Sequence, residues 1–200
     1  MSNYPNFSMI GNEGVAPAPI GDNAMTQGIG FPLRSVSQAG GDTPYPGPQP
    51  VLFAESQSTQ SPVTTGPANA IQVEFGPAQG VVTDSVMIDG LGNITFNETG
   101  VYDLVATFYI SREDPPEVAD FVIRGLVNGV QFGNPVVIHM NDDENTHIQQ
   151  LTVTAGFTAG DVMTIECMRD STGFDDGYLE AVVTSGWGTS PSAVIRLTKF

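Results

Sequence analysis

The sequence is poor in residues that crosslink, bind anions or span membranes. Its one cysteine, Cys167, excludes an intramolecular disulfide and a cysteine-based metal cage. Six basic residues, with Lys199 as the single lysine, face 22 acidic ones, giving a formal net charge of −16 at pH 7. This charge predicts no binding to nucleic acid or to an anionic membrane. Without an apolar run near eighteen residues or a basic-then-apolar N-terminus, neither a membrane helix nor a signal peptide is predicted.

Catalytic motifs are also missing. The sequence has no Gly-x-Ser-x-Gly elbow and no phosphate-binding Gly-Lys-Ser or Gly-Lys-Thr loop, so we predict neither an enzyme nor a bound cofactor. The only histidines, His139 and His147, end one predicted strand and begin the next. They are interpreted as polar strand ends, with a metal pair across a hairpin as the alternative. Cys167 alternates with Ile165 and is interpreted as a small buried hydrophobe rather than a reactive thiol.

Two acidic loops contain the oxygen ligands that calcium prefers. One loop spans 141–145, and the other combines Asp170 with Asp175 and Asp176. Neither has the Asp-x-Asp-x-Asp-Gly spacing of a strong calcium motif. Solvated loops are therefore the favoured interpretation, and no metal ligand is predicted.

Residues 1–66 differ from the rest of the chain, since they contain nine of its fifteen prolines among Gly, Ser, Gln and Thr. No strand or helix period survives there, and 56–65 is interpreted as a polar linker. Apolar side chains recur at intervals, as in a peptide that lies along a partner and fills successive pockets. We therefore predict an extended attachment arm over 1–66 and a folded domain over 67–200. The predicted arm contacts are Tyr4, Phe7, Met9, Ile10, Ile20, Met25, Ile29, Phe31, Leu33, Val51, Leu52 and Phe53.

Short strands separated by turns fill the rest of the chain. In 92–112, Ile94 and Phe96 alternate with polar neighbours, and a long second strand continues the alternation from Tyr102 to Ile110. Asn128-Gly129 is a strong hairpin signal, and Pro135 indicates a bulge or an edge strand. Turn-delimited strands without an intervening helix predict an all-β, antiparallel sandwich or barrel.

The order of these features resembles the jelly roll shared by tumour-necrosis-factor-like proteins and complement globular heads. The resemblance covers 70–200 and rests on four stretches: Ile94-Thr95-Phe96 with Gly100-Val101-Tyr102; Val127-Asn128-Gly129; Leu151-Thr152-Val153 leading to Ala159-Gly160-Asp161-Val162; and Gly177-Tyr178-Leu179 before a hydrophobic last strand. It implies a homotrimer. The resemblance implies that four residues lie at the subunit interface, with core packing as the alternative for each: Val194, Ile195, Leu197 and Phe200.

Similar jelly-roll trimers occur in bacteriophages as capsid-decorating and fibre proteins with an N-terminal attachment segment. The lack of a collagen-like repeat, anchor and signal peptide makes those the better match. The expectation is a trimeric capsid decoration, or cement, protein on the outer surface of the virion, with the major capsid protein as its partner. The alternative is a head or tail fibre knob that binds a host glycan, with Trp187 and Tyr178 as residues that could stack on a sugar.

Overall fold

The computed structural model describes residues 47–79, 83–112, 119–140, 146–170 and 177–200. These residues form thirteen strands and one 3-10 turn, Pro67–Asn69. The strands are β1 Gln49–Ser56, β2 Ile71–Gln72, β3 Val86–Ile88, β4 Ile94–Phe96, β5 Gly100–Arg112, β6 Ala119–Val127, β7 Val130–Met140, β8 Thr146–Phe157, β9 Val162–Arg169, β10 Gly177–Leu179, β11 Val182–Thr184, β12 Gly188–Ser190 and β13 Ala193–Lys199. No described helix is long and apolar enough to cross a bilayer.

Two antiparallel sheets enclose one core. Sheet I has the order β1-β13-β5-β10 with β8 on the other side of β5, and sheet II has the order β3-β4-β9-β6-β7 with β2 beside β9. The eight main strands in chain order are β1, β4, β5, β6, β7, β8, β9 and β13. They pair first with eighth, second with seventh, third with sixth and fourth with fifth. This nested pairing defines a jelly roll, so the predicted all-β, antiparallel jelly-roll sandwich is confirmed.

The long strand β5 is the centre of sheet I. It pairs with β8 along its length and with β13 on its other edge. Its inward side chains alternate as the sequence predicts, and all are buried: Tyr102, Leu104, Ala106, Phe108 and Ile110. At one end of the core the Phe96 ring stacks on Phe157 at 3.9 Å and meets the Tyr102 ring edge-on at 4.9 Å. These contacts bring together β4, β5 and β8, and so join the two sheets.

The Asn128-Gly129 hairpin forms as predicted between β6 and β7. Both turn residues have positive φ, 53° and 77°, which Asn and Gly tolerate best. Strand β7, which contains Pro135, is the outer strand of sheet II. The β6–β7 register shifts between Ile123 and Gly125. Edge placement accounts for the proline, because its missing N–H interrupts no pairing with a further strand.

The predicted boundary at residue 66 is wrong. The folded unit begins at Gly47, and β1 pairs with the last strand, β13. Val51 and Leu52, predicted as arm contacts, are 2% and 1% exposed in the core, and Phe53 lies in the same strand, facing outward. Because Pro46, Pro48 and Pro50 lie before or at the start of β1, the sequence does not predict this strand, which is buried on one side. These residues are therefore part of the sandwich and not of an arm.

The segment 57–79, part of which was predicted as a linker, is tied to the sandwich through Gln60. Its backbone exchanges two hydrogen bonds of 2.9 Å with Leu179. Its side-chain amide donates to the Glu74 carbonyl at 2.9 Å and to Ser56 Oγ at 3.0 Å, while its Oε1 accepts from the Glu74 N–H at 2.8 Å. A buried amide with its polar atoms paired holds this polar segment in place.

The remaining predicted arm contacts, Tyr4 to Leu33, lie outside the described residues. So do the acidic loop 141–145 and residues Asp175 and Asp176.

Candidate interaction surfaces

The outer face of sheet I has few charges. Its outward side chains are Phe53, Glu55, Val101, Asp103, Val105, Thr107, Tyr109, Ile148, Gln150, Thr152, Thr154, Val194, Arg196 and Thr198. Two carboxylates oppose one guanidinium in this set, and Asp103 accepts a 2.8 Å hydrogen bond from Thr154 Oγ1. Glu180, half-buried directly after the inward-facing Leu179, adds a third carboxylate to this face. Ile148, next to Tyr109 on the neighbouring strand, is 65% exposed. In a chain with a net charge of −16, this face is nearly neutral.

The four predicted interface residues separate into two groups. Ile195 and Leu197 are 0% exposed, because they face the core from β13, so their placement at a subunit interface is wrong. Val194 lies half-buried on the outer face of sheet I, and Phe200 is 47% exposed at the end of that sheet. Only these two remain accessible to another protein.

A two-stranded hairpin, β11–β12, interrupts sheet I opposite Tyr109. On one edge of β5, Leu179 of β10 lies opposite Ile110, and Ala193 of β13 lies opposite Phe108. Between them, the Tyr109 N–H donates to the Ser192 carbonyl at 2.9 Å, and its carbonyl accepts from the Glu180 N–H at 2.8 Å. Strands β10 and β13 thus form one strand line along β5, into which the hairpin is inserted.

The inner side of the sheet beneath the hairpin is filled. Ser192 is fully buried, and its hydroxyl donates to the Ser58 carbonyl at 2.7 Å and accepts from Gln60 Nε2 at 3.4 Å. On the edge away from β5, the Ser192 N–H donates to the Ser56 carbonyl at 2.8 Å. The strand line that contains the insertion is flanked by β5 on one edge and by β1 on the other, and its core side is filled. The hairpin therefore projects from the outer face of sheet I.

The hairpin presents apolar side chains to solvent. Trp187 is 90% exposed and Val183 is 78% exposed. The turn is closed by a 3.1 Å hydrogen bond from the Trp187 N–H to the Thr184 carbonyl, with Gly186 and Gly188 at φ 79° and 94° on either side. No atom crowds these glycines, so their positive φ, and not close packing, is what requires glycine.

The outer face of sheet II carries charges that pair across strands. Arg124 of β6 contacts Glu166 Oε2 of β9 through Nη2 at 2.7 Å and Nε at 2.9 Å. Asp120 Oδ1 lies 2.5 Å from His139 Nδ1 on β7. A shallow groove of about 100 Å³ beside the Arg124–Glu166 pair is lined by Ala70, Val122, Arg124, Gln131, Pro135, Glu166, Cys167 and Met168. Its charged groups already bind each other, and it is small for an organic ligand.

The histidines are not brought together as a pair. His139 contacts Asp120 in sheet II, while His147 lies in sheet I opposite Ile110. Among the described residues, no three His, Cys, Asp or Glu side chains are placed to hold a metal ion. Burial raises the pKa of the Cys167 thiol to about 12, with a smaller effect from Glu166. At neutral pH this side chain is an inert thiol in the core.

The single lysine lies at the end of sheet I where the chain terminates. Lys199 forms an ion pair with Glu98, and its ammonium lies 5.9 Å from the centre of the Tyr102 ring. The hydrogen bond from Lys199 lowers the pKa of Glu98, and the same contact raises the pKa of Lys199. Desolvation raises the pKa of Tyr102, whose hydroxyl donates to the Glu98 carbonyl at 2.7 Å. The only ammonium side chain is therefore engaged within the protomer.

The hairpin is the feature that sequence reasoning missed. No hairpin is predicted over 182–190, and the turn at Trp187 is expected to have no role in assembly. A usable signal exists: the turn residues Ser185-Gly186-Trp187 separate Val-Val-Thr from Gly-Thr-Ser in a stretch without any charge.

Comparison with known proteins yields a likeness of fold. No family model matches the chain, and no curated sequence matches it. Among solved structures, murine APRIL is 15% identical with a TM-score of 0.45 over 76% of this chain and 98% of that chain. The Eiger TNF from S. frugiperda is 13% identical with a TM-score of 0.42 over 76% of this chain and 94% of that chain. These likenesses concern the fold alone, and the jelly roll of this protein is established by its own nested strand pairing.

Proposed function

We propose that this protein is a non-enzymatic structural protein of a phage virion. It forms a homotrimer through the outer face of sheet I and decorates the capsid shell, to which its N-terminal segment binds. Its mechanism is binding without turnover. The partner of the N-terminal segment in this proposal is the major capsid protein.

The attachment role is supported by the position of the folded unit in the sequence. All eight jelly-roll strands lie between Gln49 and Lys199, so residues 1–46 are not required to complete the fold. Those residues contain nine of the twelve apolar side chains predicted to bind a partner. A chain of this length spans at most about 150 Å when fully extended, enough to reach more than one capsid subunit. Three such segments on one trimer would add avidity to individually weak contacts.

The trimer is supported by the distribution of charge. Subunits that each carry −16 repel one another, and a contact between copies is least unfavourable where few charges are buried. The outer face of sheet I is such a surface, with Glu55, Asp103, Glu180 and Arg196 as its charged side chains.

The experiment removes residues 1–46 and leaves β1 intact. We expect the Gly47–Phe200 chain to remain folded and trimeric by native mass spectrometry. It should no longer co-sediment with capsid shells purified from the phage that encodes it, whereas the full chain should co-sediment. If the shortened chain co-sedimented with capsid shells as well as the full chain does, the attachment role would be refuted. A monomeric mass for both chains would refute the trimer.

A second function, a fibre knob that binds a host-surface glycan, is favoured by one observation. The Trp187 indole is 90% exposed at the hairpin turn, and flat aromatic rings of this kind stack on sugars. The other residue expected to stack on a sugar, Tyr178, is half-buried in β10. A glycan array probed with the full chain separates the two functions, since a decoration protein should bind no glycan and a fibre knob should bind a defined set.

A further inference from the structure

We propose that the β11–β12 hairpin, Val182 to Ser190, docks onto a second copy of this chain and buries Trp187 between subunits. This inference rests on the proposed self-association and adds the element that makes the contact. The hairpin is an insertion in sheet I that serves assembly, and Trp187 is its anchor.

The position of the hairpin places it at the contact. Both ends of the insertion are bonded to Tyr109, in the middle of sheet I, and the core side is filled by Ser192, whose hydroxyl bonds to Gln60 and to the Ser58 carbonyl. The hairpin therefore stands on the same face as Val105, Tyr109 and Ile148. Any copy that approaches this nearly neutral face meets the hairpin first.

The charge of the chain indicates that the partner of the hairpin is a second copy of the chain. The hairpin contains no charged residue, while the protein as a whole carries −16. An identical, strongly acidic subunit can approach closely only where neither surface adds like charges. The hairpin and the outer face of sheet I satisfy this condition together, so that one copy can supply the hairpin and the next copy the face. Such head-to-tail contacts form a ring, as a trimer requires, when the rotation between successive copies closes.

The exposure of the hairpin favours a partner on energetic grounds. A two-stranded hairpin is marginally stable in water unless it packs on something, and β11 and β12 pair only with each other among the described strands. Their largest side chain, Trp187, is 90% exposed in the protomer. Tryptophan is enriched among residues that dominate binding energy when buried at an interface.

The sequence supplies its own probe, because Trp187 is the only tryptophan. We would record its fluorescence and acrylamide quenching in the full-length chain over a dilution series, and measure the mass of the species at each concentration. In the assembled form we expect blue-shifted emission and suppressed quenching. On dilution to the monomer, emission should shift to the red and quenching should approach that of the unfolded chain.

Variants locate the contact. Trp187→Ala should weaken association about tenfold or more, as for an interface anchor. Val183→Ser, which retains the fluorophore, should weaken association and leave the emission redder at a given concentration. Leu91→Ala is the matched control, since Leu91 is 62% exposed in the β3–β4 turn, and it should have no effect. Protection of Cys167 from alkylation reports that each variant is folded.

The outcomes separate this inference from the proposed function. An oligomer whose Trp187 remains as quenchable as in the unfolded chain would overturn the docking of the hairpin and leave the trimer standing. Equal weakening by Leu91→Ala would also overturn it. A chain that stays monomeric at every concentration would overturn both.

Discussion

The outer faces of the two sheets differ in how their charged side chains are paired. On sheet II, Arg124 pairs with Glu166 and His139 contacts Asp120, so charges lie beside opposite or polar partners on the next strand. On sheet I, the face consists largely of Thr and Val and carries a charge-free hairpin with an exposed tryptophan. Sheet II is suited to remain in water. Sheet I is suited to another protein, which is where the site for assembly is expected.

The contrast between the two sheets holds only if β1 is part of sheet I. Leu52→Ala tests this, and it has the largest expected effect. Leu52 is 1% exposed and lies opposite Leu197. Truncation leaves a cavity in the core, so we expect a loss of about 2–5 kcal/mol in the free energy of unfolding by urea titration.

Phe53→Ala is the control, because Phe53 lies next in the same strand and faces outward. It should cost less stability than Leu52→Ala. If Leu52→Ala left stability unchanged and weakened only attachment to capsids, β1 would belong to the arm after all.

Leu52 also shows what the sequence could predict. Strict alternation in β5 and the Asn128-Gly129 turn identify their strands, since a period of two and a positive-φ turn are local properties. Strand β1 is hidden because Pro48 and Pro50 and the polar residues after Ser56 match a linker in composition, while its partner, β13, lies at the other end of the chain. Ile195 and Leu197 illustrate the same limit: alternation locates a strand but does not say which of its faces meets the core.

A charge placed on sheet I should have the next largest effect. Thr107 lies in the middle of the outer face, between Val194 and Gln150. Thr107→Glu would bury a like charge in each copy's contact, and juxtaposed like charges cost several kcal/mol. We expect association to weaken about a hundredfold or more, by analytical ultracentrifugation, with no loss of folding.

Thr95→Glu is the matched substitution on the outer face of sheet II. Thr95 is half-buried in β4, between Met87 and Val162. It should leave association unchanged. Equal weakening by both variants would mean that the two faces do not differ in function and that net charge alone controls assembly.

The smallest effect is expected from the ion pair on sheet II. Glu166→Gln removes the carboxylate that Arg124 contacts, and partly exposed pairs of this kind contribute about 0–1 kcal/mol. We expect a loss of stability in that range, smaller at high salt because screening weakens the pair in the parent protein. Assembly should respond to salt in the opposite sense, since screening relieves the repulsion between acidic subunits and tightens the trimer of parent and variant alike. A Glu166→Gln protein that no longer forms trimers would place sheet II at the subunit contact and reverse the roles of the two faces.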